Sequence, residues 1–217
     1  MIEIDTPHGT ARVRLEGDDP AEGGAGGRGG AGLALVLGHG AGGGVNSTDL
    51  RAAAEAALAL GFRVALVEQP YRVAGRRSPP PARTLDTAWV AVVEALAAGA
   101  LAGFRLVVGG RSSGARVACR TAAHVQAAGV ICLAFPLLPP GPARQGDASK
   151  SRLGELDAVP PTIPVLIVQG ERDPFGMPPE AENRSVVPIT GTHTLSSTKA
   201  VRSAVSPWLA VLASALG

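Results

Sequence analysis

The sequence predicts an α/β protein in which a mostly parallel sheet carries helices on both faces. Short uninterrupted apolar runs, typical of strands buried on both sides, alternate along the chain with longer helical segments. Aromatic residues make up only 3% of the chain whereas hydrophobic residues make up 46%, so Ala, Val and Leu must build the core. The length of 217 residues suits one large domain, and we expect residues 1–217 to form a single domain.

The N-terminal region predicts a β-hairpin followed by a loop. From Ile2 to Glu16 apolar and polar residues alternate, and Thr6-Pro7-His8-Gly9 interrupts the alternation. Residues 17–32 are rich in Gly and Ala and have no apolar periodicity. We therefore expect an antiparallel start to the sheet and a flexible loop over residues 17–32.

Strands and helices then alternate to the end of the chain. The predicted strands cover residues 33–37, 63–67, 105–109, 130–134, 164–169 and 185–189. The predicted helices cover residues 47–60, 84–98, 113–127 and 197–216, and Pro207 is expected to kink the last helix or to start a second one there. Since helical crossovers join parallel strands, we expect the functional site at the carboxyl ends of the strands.

One pentapeptide has the pattern of a nucleophile elbow, in which a strained turn presents a serine. Gly110-Arg111-Ser112-Ser113-Gly114 follows a predicted buried strand and opens the next helix, which is the required setting. Of the two serines in this pentapeptide, Ser112 is the one with a glycine two residues before it and a glycine two residues after it. Ser113 would have Arg111 and Ala115 in those places, and their side chains would crowd the turn. Ser112 is the predicted nucleophile.

Acyl transfer from such a serine also needs N–H donors for the oxyanion. The N–H of Ser113 follows the nucleophile, and the loop 39–43 offers the N–H of Ala41, with Gly42 as the alternative. This loop could instead be a glycine turn or the phosphate-binding loop of a dinucleotide fold. It lacks the G-x-G-x-x-G spacing, although Glu68 near the end of the next strand keeps the dinucleotide alternative open.

The general base should be one of the four histidines. His8 belongs to the hairpin, His39 to the predicted oxyanion loop, and His124 to the far end of a helix, where we expect a cap or an exposed side chain. His193 remains, in the loop between the last predicted strand and the final helix. Considered without Ser112, a lone histidine in a loop is more often simply exposed.

The acid that orients the histidine is predicted to be Asp173. It follows a buried strand, and the order Ser112, Asp173, His193 matches the chain order of this kind of triad. The alternative role for Asp173 is to cap the turn before Pro174. Glu171 is the alternative acid.

These motifs together resemble those of a family. The stretches are His39-Gly40-Ala41-Gly42, Gly109-Gly110-Arg111-Ser112, Phe135-Pro136-Leu137 with Pro139-Pro140-Gly141, Gln169-Gly170-Glu171-Arg172-Asp173-Pro174-Phe175-Gly176, and Gly191-Thr192-His193. The chain resembles the small α/β-hydrolases related to dienelactone hydrolase, especially the group that includes a testis-expressed hydrolase-like protein and a subunit of a histone acetyltransferase complex. The resemblance implies the α/β-hydrolase fold with a minimal lid or none, and a Ser-His-Asp triad.

The sequence also departs from the pattern of that group. Ser113 and Ala115 stand where Met and Gly are usual, and Leu138 and Glu155 stand where a histidine is often found. These changes preserve the backbone donor after the nucleophile. The resemblance therefore implies the catalytic chemistry of this chain, but it implies no substrate.

Composition and charge argue against macromolecular partners, and the short segment between the predicted strands 130–134 and 164–169 leaves little room for a lid, so we expect a small-molecule acyl substrate. The net charge of +2 is spread along the chain, and the one local arginine cluster, Arg72, Arg76 and Arg77, has no interleaved aromatics, so we expect no nucleic-acid partner. No apolar run approaches the roughly 18 residues of a membrane span, so we expect no membrane association. Cys119 and Cys132 lie in apolar stretches and are expected to be buried thiols, which favours the cytoplasm. We expect no cofactor and no metal.

The functional prediction is a serine hydrolase that cleaves ester or related acyl bonds through an acyl-enzyme intermediate. Two alternatives remain: an acyltransferase that uses the same triad, and a non-catalytic interaction module on an α/β-hydrolase-like fold.

Overall fold

The computed structural model describes residues 1–17, 32–139 and 150–216. The strands are β1 (Ile2–Thr6), β2 (Gly9–Glu16), β3 (Leu33–Gly38), β4 (Arg63–Glu68), β5 (Arg105–Arg111), β6 (Gly129–Leu133), β7 (Val165–Gly170) and β8 (Arg184–Ile189). The helices are α1 (Thr48–Leu58), α2 (Pro70–Val73), α3 (Ala82–Ala98), α4 (Ser113–Thr121), α5 (Leu153–Asp157) and α6 (Thr198–Leu216). The predicted flexible loop falls largely on residues 18–31, which lie outside the described residues.

The eight strands form one sheet in the order β1-β2-β4-β3-β5-β6-β7-β8. The predicted hairpin is confirmed: β1 and β2 are antiparallel, and β2 also pairs antiparallel with β4. The pairs from β4 to β8 are all parallel. The carboxyl ends of β3 to β8 therefore meet at one edge of the sheet, where the chemistry was expected.

Helices cover both faces of the sheet, as the apolar strands require. Leu35 of β3 packs in a cluster with Leu50 of α1 and with Leu209 of α6. The next residue, Val36, belongs to the cluster on the opposite face, where Trp89 of α3 is the largest fully buried side chain. This alternation follows from the two-residue period of a strand. The predicted α/β architecture is confirmed.

Helix α4 ends earlier than the apolar pattern predicted. Its regular part stops at Thr121, and the predicted continuation to residue 127 is wrong. The Ala127 N–H donates to the Ala122 carbonyl at 3.0 Å, and Gln126 between them has a φ of 52°. The left-handed backbone of Gln126 ends the helical segment and turns the chain toward β6. The turn has to come here because β6 begins to pair with its neighbours only a few residues later.

Of the two effects predicted for Pro207, a kink or the start of a second helix, the second is wrong, because α6 runs unbroken from Thr198 to Leu216 with Pro207 inside it. The side chains of Val201, Val205, Leu209 and Leu212 form a buried stripe on both sides of the proline. Pro207 itself is exposed. Packing of the stripe against the sheet holds the helix together across the missing hydrogen bond.

Two short helices, α2 and α5, were not predicted, because four or five residues carry too little periodicity. Cys119 and Cys132 are free and buried, as expected, with their sulfurs 3.4 Å apart. The described helices include none with the length and apolar character that a membrane crossing needs.

Candidate active site

Ser112 lies in the sharp turn between β5 and α4 and has a φ of 52°, a left-handed value that is strained for a residue with a side chain. Close packing of the flanking glycines makes this turn possible. A Cβ on Gly110 or on Gly114 would lie 2.4 Å from the carbonyl oxygen of Gly38 in β3. The turn therefore packs closely against the neighbouring strand, and only glycine fits two residues before and two residues after Ser112.

Gly110→Ala is expected to lower the free energy of unfolding by at least about 1–3 kcal/mol, because the added methyl group would overlap backbone atoms that cannot move independently. Urea unfolding measures the effect. Gly154→Ala in α5 is the matched control, since a Cβ there meets nothing within 4 Å. That variant should be neutral or more stable by up to about 1 kcal/mol. Equal effects of the two changes would contradict this account of the elbow.

The structure brings the three predicted catalytic side chains together. His193 Nε2 lies 2.9 Å from Ser112 Oγ, and His193 Nδ1 lies 2.8 Å from Asp173 Oδ2. An ionised carboxylate only accepts hydrogen bonds, so Nδ1 carries the proton and Nε2 is left to accept from the serine hydroxyl. The Asp173 side chain is only 1% exposed whereas that of His193 is 18% exposed. The predicted base is thus partly open to solvent, whereas the carboxylate it contacts is buried.

Asp173 is itself held in place by two donors. The Phe175 N–H donates to Oδ1 at 2.8 Å, and the Gln169 side-chain amide donates to Oδ2 at 2.9 Å. The first contact is the turn-capping role considered as an alternative, so one carboxylate both caps its turn and binds His193. The role of Gln169 was not predicted. The signal in the sequence is a single polar residue, next to last in the otherwise apolar strand β7, and the structure buries it fully.

Glu171, the alternative acid, is exposed and its carboxylate accepts a hydrogen bond from the Thr190 hydroxyl at 3.3 Å. It is Asp173 that contacts His193. His8 lies in the hairpin, exposed, and His124 is also exposed, with Nε2 3.2 Å from a carboxylate oxygen of Glu94. The expectations for these two histidines are confirmed.

The predicted oxyanion loop follows β3 beside the elbow, where a Cβ on Gly40 would lie 3.7 Å from Ser112 Cβ. His39 Nδ1 lies 2.8 Å from the Gly40 carbonyl oxygen, and His39 Nε2 accepts from the Gln69 N–H at 3.1 Å. Since Nε2 is an acceptor, Nδ1 carries the proton and donates to Gly40. The C=O of Gly40 and the N–H of Ala41 belong to one planar trans peptide, so fixing the carbonyl also fixes the direction of the N–H.

A second bond fixes the next peptide of this loop. The Tyr71 hydroxyl donates to the carbonyl oxygen of Ala41 at 2.8 Å. The other predicted donor, the N–H of Ser113, belongs to the first residue of α4, where N–H groups have no partner within the helix. Sequence reasoning assigned His39 to the loop but missed its bonding role and that of Tyr71.

Burial lowers the pKa of His39 below its usual 6.5, against the opposing effects of the Gly40 carbonyl and of the Glu68 charge; Arg72 adds to the lowering. The unfolded chain therefore takes up a proton more readily than the folded protein. The stability that His39 contributes is present above about pH 6.5 and is lost as the pH falls from there toward the lowered value.

We expect the free energy of unfolding to decrease less between about pH 7 and about pH 5 in His39→Asn than in the original chain, because asparagine does not titrate in this range. Urea unfolding at each pH provides the measurement. His8→Asn is the control, because it removes an imidazole from an exposed position in the hairpin, and its pH slope should differ from that of His39→Asn. An unchanged pH slope in His39→Asn would contradict a neutral, buried His39.

In the part of the chain that the structure describes, no three His, Cys, Asp or Glu side chains are grouped so that they could hold a metal ion. The features that define the site are thus a parallel sheet, a strained serine at the carboxyl end of β5, and a histidine and an aspartate from the loops after β8 and β7. Fold and site together place the chain in the class of α/β-hydrolase-fold proteins.

The sequence agrees with this assignment, because residues 31–199 match the family described as "Alpha/beta hydrolase domain", and the chain belongs to that family. No curated protein matches the sequence. The particular likeness to dienelactone hydrolase and to the testis-expressed group stays a prediction.

Solved structures show the same fold. An α/β serine hydrolase without a lid from Xanthomonas campestris superposes with a TM-score of 0.70 at 19% identity, over 97% of this chain and 93% of that one. Est1E from Butyrivibrio proteoclasticus, with ferulic acid bound, has a TM-score of 0.73 at 18% identity, over 99% of this chain and 100% of that one. An α/β serine hydrolase homologue from Coxiella burnetii has a TM-score of 0.69 at 16% identity, over 96% of each chain.

Proposed function

We propose that this protein is a serine hydrolase that cleaves ester or related acyl bonds of small molecules. The observation that carries the proposal is the continuous hydrogen-bonded series Ser112–His193–Asp173 at a strained elbow, with distances of 2.9 and 2.8 Å. A nucleophile in contact with a base that is oriented by a third group is the arrangement that activates a serine.

In the proposed reaction Ser112 Oγ attacks the acyl carbon while His193 Nε2 takes the hydroxyl proton. Asp173 stabilises the imidazolium that forms and keeps the ring in its tautomer. The N–H groups of Ala41 and Ser113 bind the oxyanion of the tetrahedral intermediate. The proton on His193 then passes to the leaving alcohol, and water activated by the same histidine releases the acyl group from Ser112.

The surroundings of the triad support small esters as substrates. The ring of Phe175 lies edge-on to His193 with 4.5 Å between centroids. A Cβ on Gly176 would lie within 3.8 Å of both Leu137 and Leu138, so the loop after β7 meets apolar side chains at this edge. In the described residues between β6 and β7 the regular structure is the five-residue α5, which suits a site with a minimal lid or none.

A fluorophosphonate probe tests the proposal, because it forms a covalent bond only with an activated serine. The original chain should be labelled at Ser112, and Ser112→Ala should not be labelled. Ser113→Ala is the matched control: it removes the neighbouring hydroxyl, keeps the backbone N–H and should remain labelled. If the well-folded original chain is not labelled, the hydrolase proposal fails and the alternative of a non-catalytic interaction module gains.

The acceptor of the acyl group, water or another molecule, is a further part of the proposal. Hydrolysis and acyl transfer use the same residues, and they are distinguished by adding alcohol or amine acceptors and measuring how the products divide between free acid and acylated acceptor.

We also propose that the protein acts in the cytoplasm, because Cys119 and Cys132 are buried free thiols.

A further inference from the structure

The variable position of the elbow motif, Arg111, carries a side chain that contacts three other parts of the site. Arg111 Nε donates to Asp49 Oδ2 at 2.8 Å, and Arg111 Nη2 donates to the backbone carbonyl of His193 at 3.2 Å. The Arg111 side chain is 19% exposed and that of Asp49 only 3%. The guanidinium is therefore mostly shielded from solvent.

Asp49 belongs to the first turn of α1, where its other carboxylate oxygen accepts the Leu50 N–H at 2.9 Å. A buried charge pair of this kind contributes little to stability compared with apolar packing, because both ions lose their hydration. What the pair does provide is geometry. The bond to Asp49 holds the guanidinium of Arg111 in one orientation. Because the guanidinium is planar and rigid, its remaining N–H donors then point toward a second acceptor.

The third contact is with the predicted oxyanion loop. A Cβ on Gly40 would lie 2.9 Å from Arg111 Nη1, so the guanidinium packs directly against the backbone of Gly40. Gly40 is also the residue whose carbonyl is held by His39. The Arg111 side chain therefore packs against the loop that carries the predicted oxyanion donor Ala41 and donates to the loop that carries His193. The Arg111 backbone is joined directly to Ser112.

We propose that Arg111 is a positioning residue that holds the His193 loop and the Gly40 loop in register with Ser112. The proposal rests on the hydrolase function proposed above. Arg111 is covalently joined to Ser112, so its bond to the His193 carbonyl restricts the separation between the nucleophile and the base. A misplacement of about 1 Å in such a pair can reduce the rate about 100-fold.

Arg111→Lys is the most direct test, since lysine keeps the charge opposite Asp49 but offers one ammonium group instead of a planar fork. We expect kcat for a small aryl ester to fall about 10- to 100-fold with KM little changed, and the midpoint of the acidic limb of the kcat/KM profile to move. A double variant, Arg111→Gln with Asp49→Asn, removes both buried charges together and guards against misfolding from an unpaired ion. It should show the same loss in kcat.

The matched control is Arg184→Lys at the amino end of β8. The Arg184 side chain is also buried, at 4% exposed, and also pairs with a carboxylate, that of Asp157, at 3.0 Å. It lies at the opposite edge of the sheet from Ser112, so we expect lower stability with unchanged kcat. Loss of kcat in the control equal to that in Arg111→Lys would overturn the proposal.

A second measurement separates this proposal from the proposed function. The proton on His193 Nδ1, bonded to Asp173, should give a downfield proton resonance in the original chain whether or not an ester is turned over. We expect that resonance to shift or broaden in Arg111→Lys and to be unchanged in Arg184→Lys. An unchanged resonance and kcat in Arg111→Lys would overturn the positioning role while the hydrolase proposal stood. Absence of labelling and turnover in the original chain would instead overturn the hydrolase proposal.

Discussion

Ser112→Ala is expected to lower kcat for a small aryl ester by about 10⁶-fold, because the nucleophile whose attack divides the reaction into two easier steps is lost. The remaining rate should stay about 10³- to 10⁴-fold above that in water, since the predicted donors Ala41 and Ser113 are untouched. Steady-state kinetics gives the first ratio. Stability should change little, because alanine keeps a Cβ at the same strained φ of 52°.

The sharper form of this prediction concerns a pair of changes. Ser112 and His193 act as one unit, so adding His193→Ala to Ser112→Ala should produce almost no further loss. If the two losses multiply instead, His193 is acting independently of Ser112 and the proposed base is wrong. Circular dichroism of each variant verifies that the fold is retained.

Asp173→Asn is expected to lower kcat by about 10⁴-fold while the protein still folds. The carboxylate accepts three hydrogen bonds, from Phe175 N–H, from the Gln169 amide and from His193 Nδ1. An asparagine has a single acceptor atom, so one of its orientations turns an NH₂ group toward His193. The imidazole then has to accept at Nδ1 and to carry its proton on Nε2, the tautomer that cannot take the proton of Ser112.

The fold should tolerate the change because asparagine has nearly the same shape as aspartate and its oxygen can still accept the Phe175 N–H. Gln169 stays anchored, since its amide also donates to the carbonyl oxygens of Phe135 at 3.1 Å and of Gly176 at 2.9 Å. Glu171→Gln is the matched control and should retain turnover, since Glu171 contacts Thr190 and not His193. A loss in that control comparable to the loss in Asp173→Asn would assign the orienting role to Glu171.

Local patterns were enough to predict most of the architecture. The apolar runs of β3 to β7 each identify a strand because strands buried on both faces are mostly apolar, and Gly110 and Gly114 identify the turn around Ser112 because no other residue fits at those two positions. Element ends were less predictable. The end of α4 depends on where β6 must begin pairing, and the continuity of α6 across Pro207 depends on packing against the sheet.

The sequence by itself determined the order of the strands and of the four long helices along the chain, the serine of the elbow, and Asp173 and His193 as its candidate partners, because those features follow from residue spacing and from the shape of single residues. Only the tertiary structure decided which side chains orient the site. Arg111 donates to the His193 carbonyl at 3.2 Å, Gln169 donates to the Phe135 carbonyl at 3.1 Å, and His39 accepts from the Gln69 N–H at 3.1 Å. The partners in each pair are far apart along the chain, so these hydrogen bonds exist only after the sheet has brought the partners together.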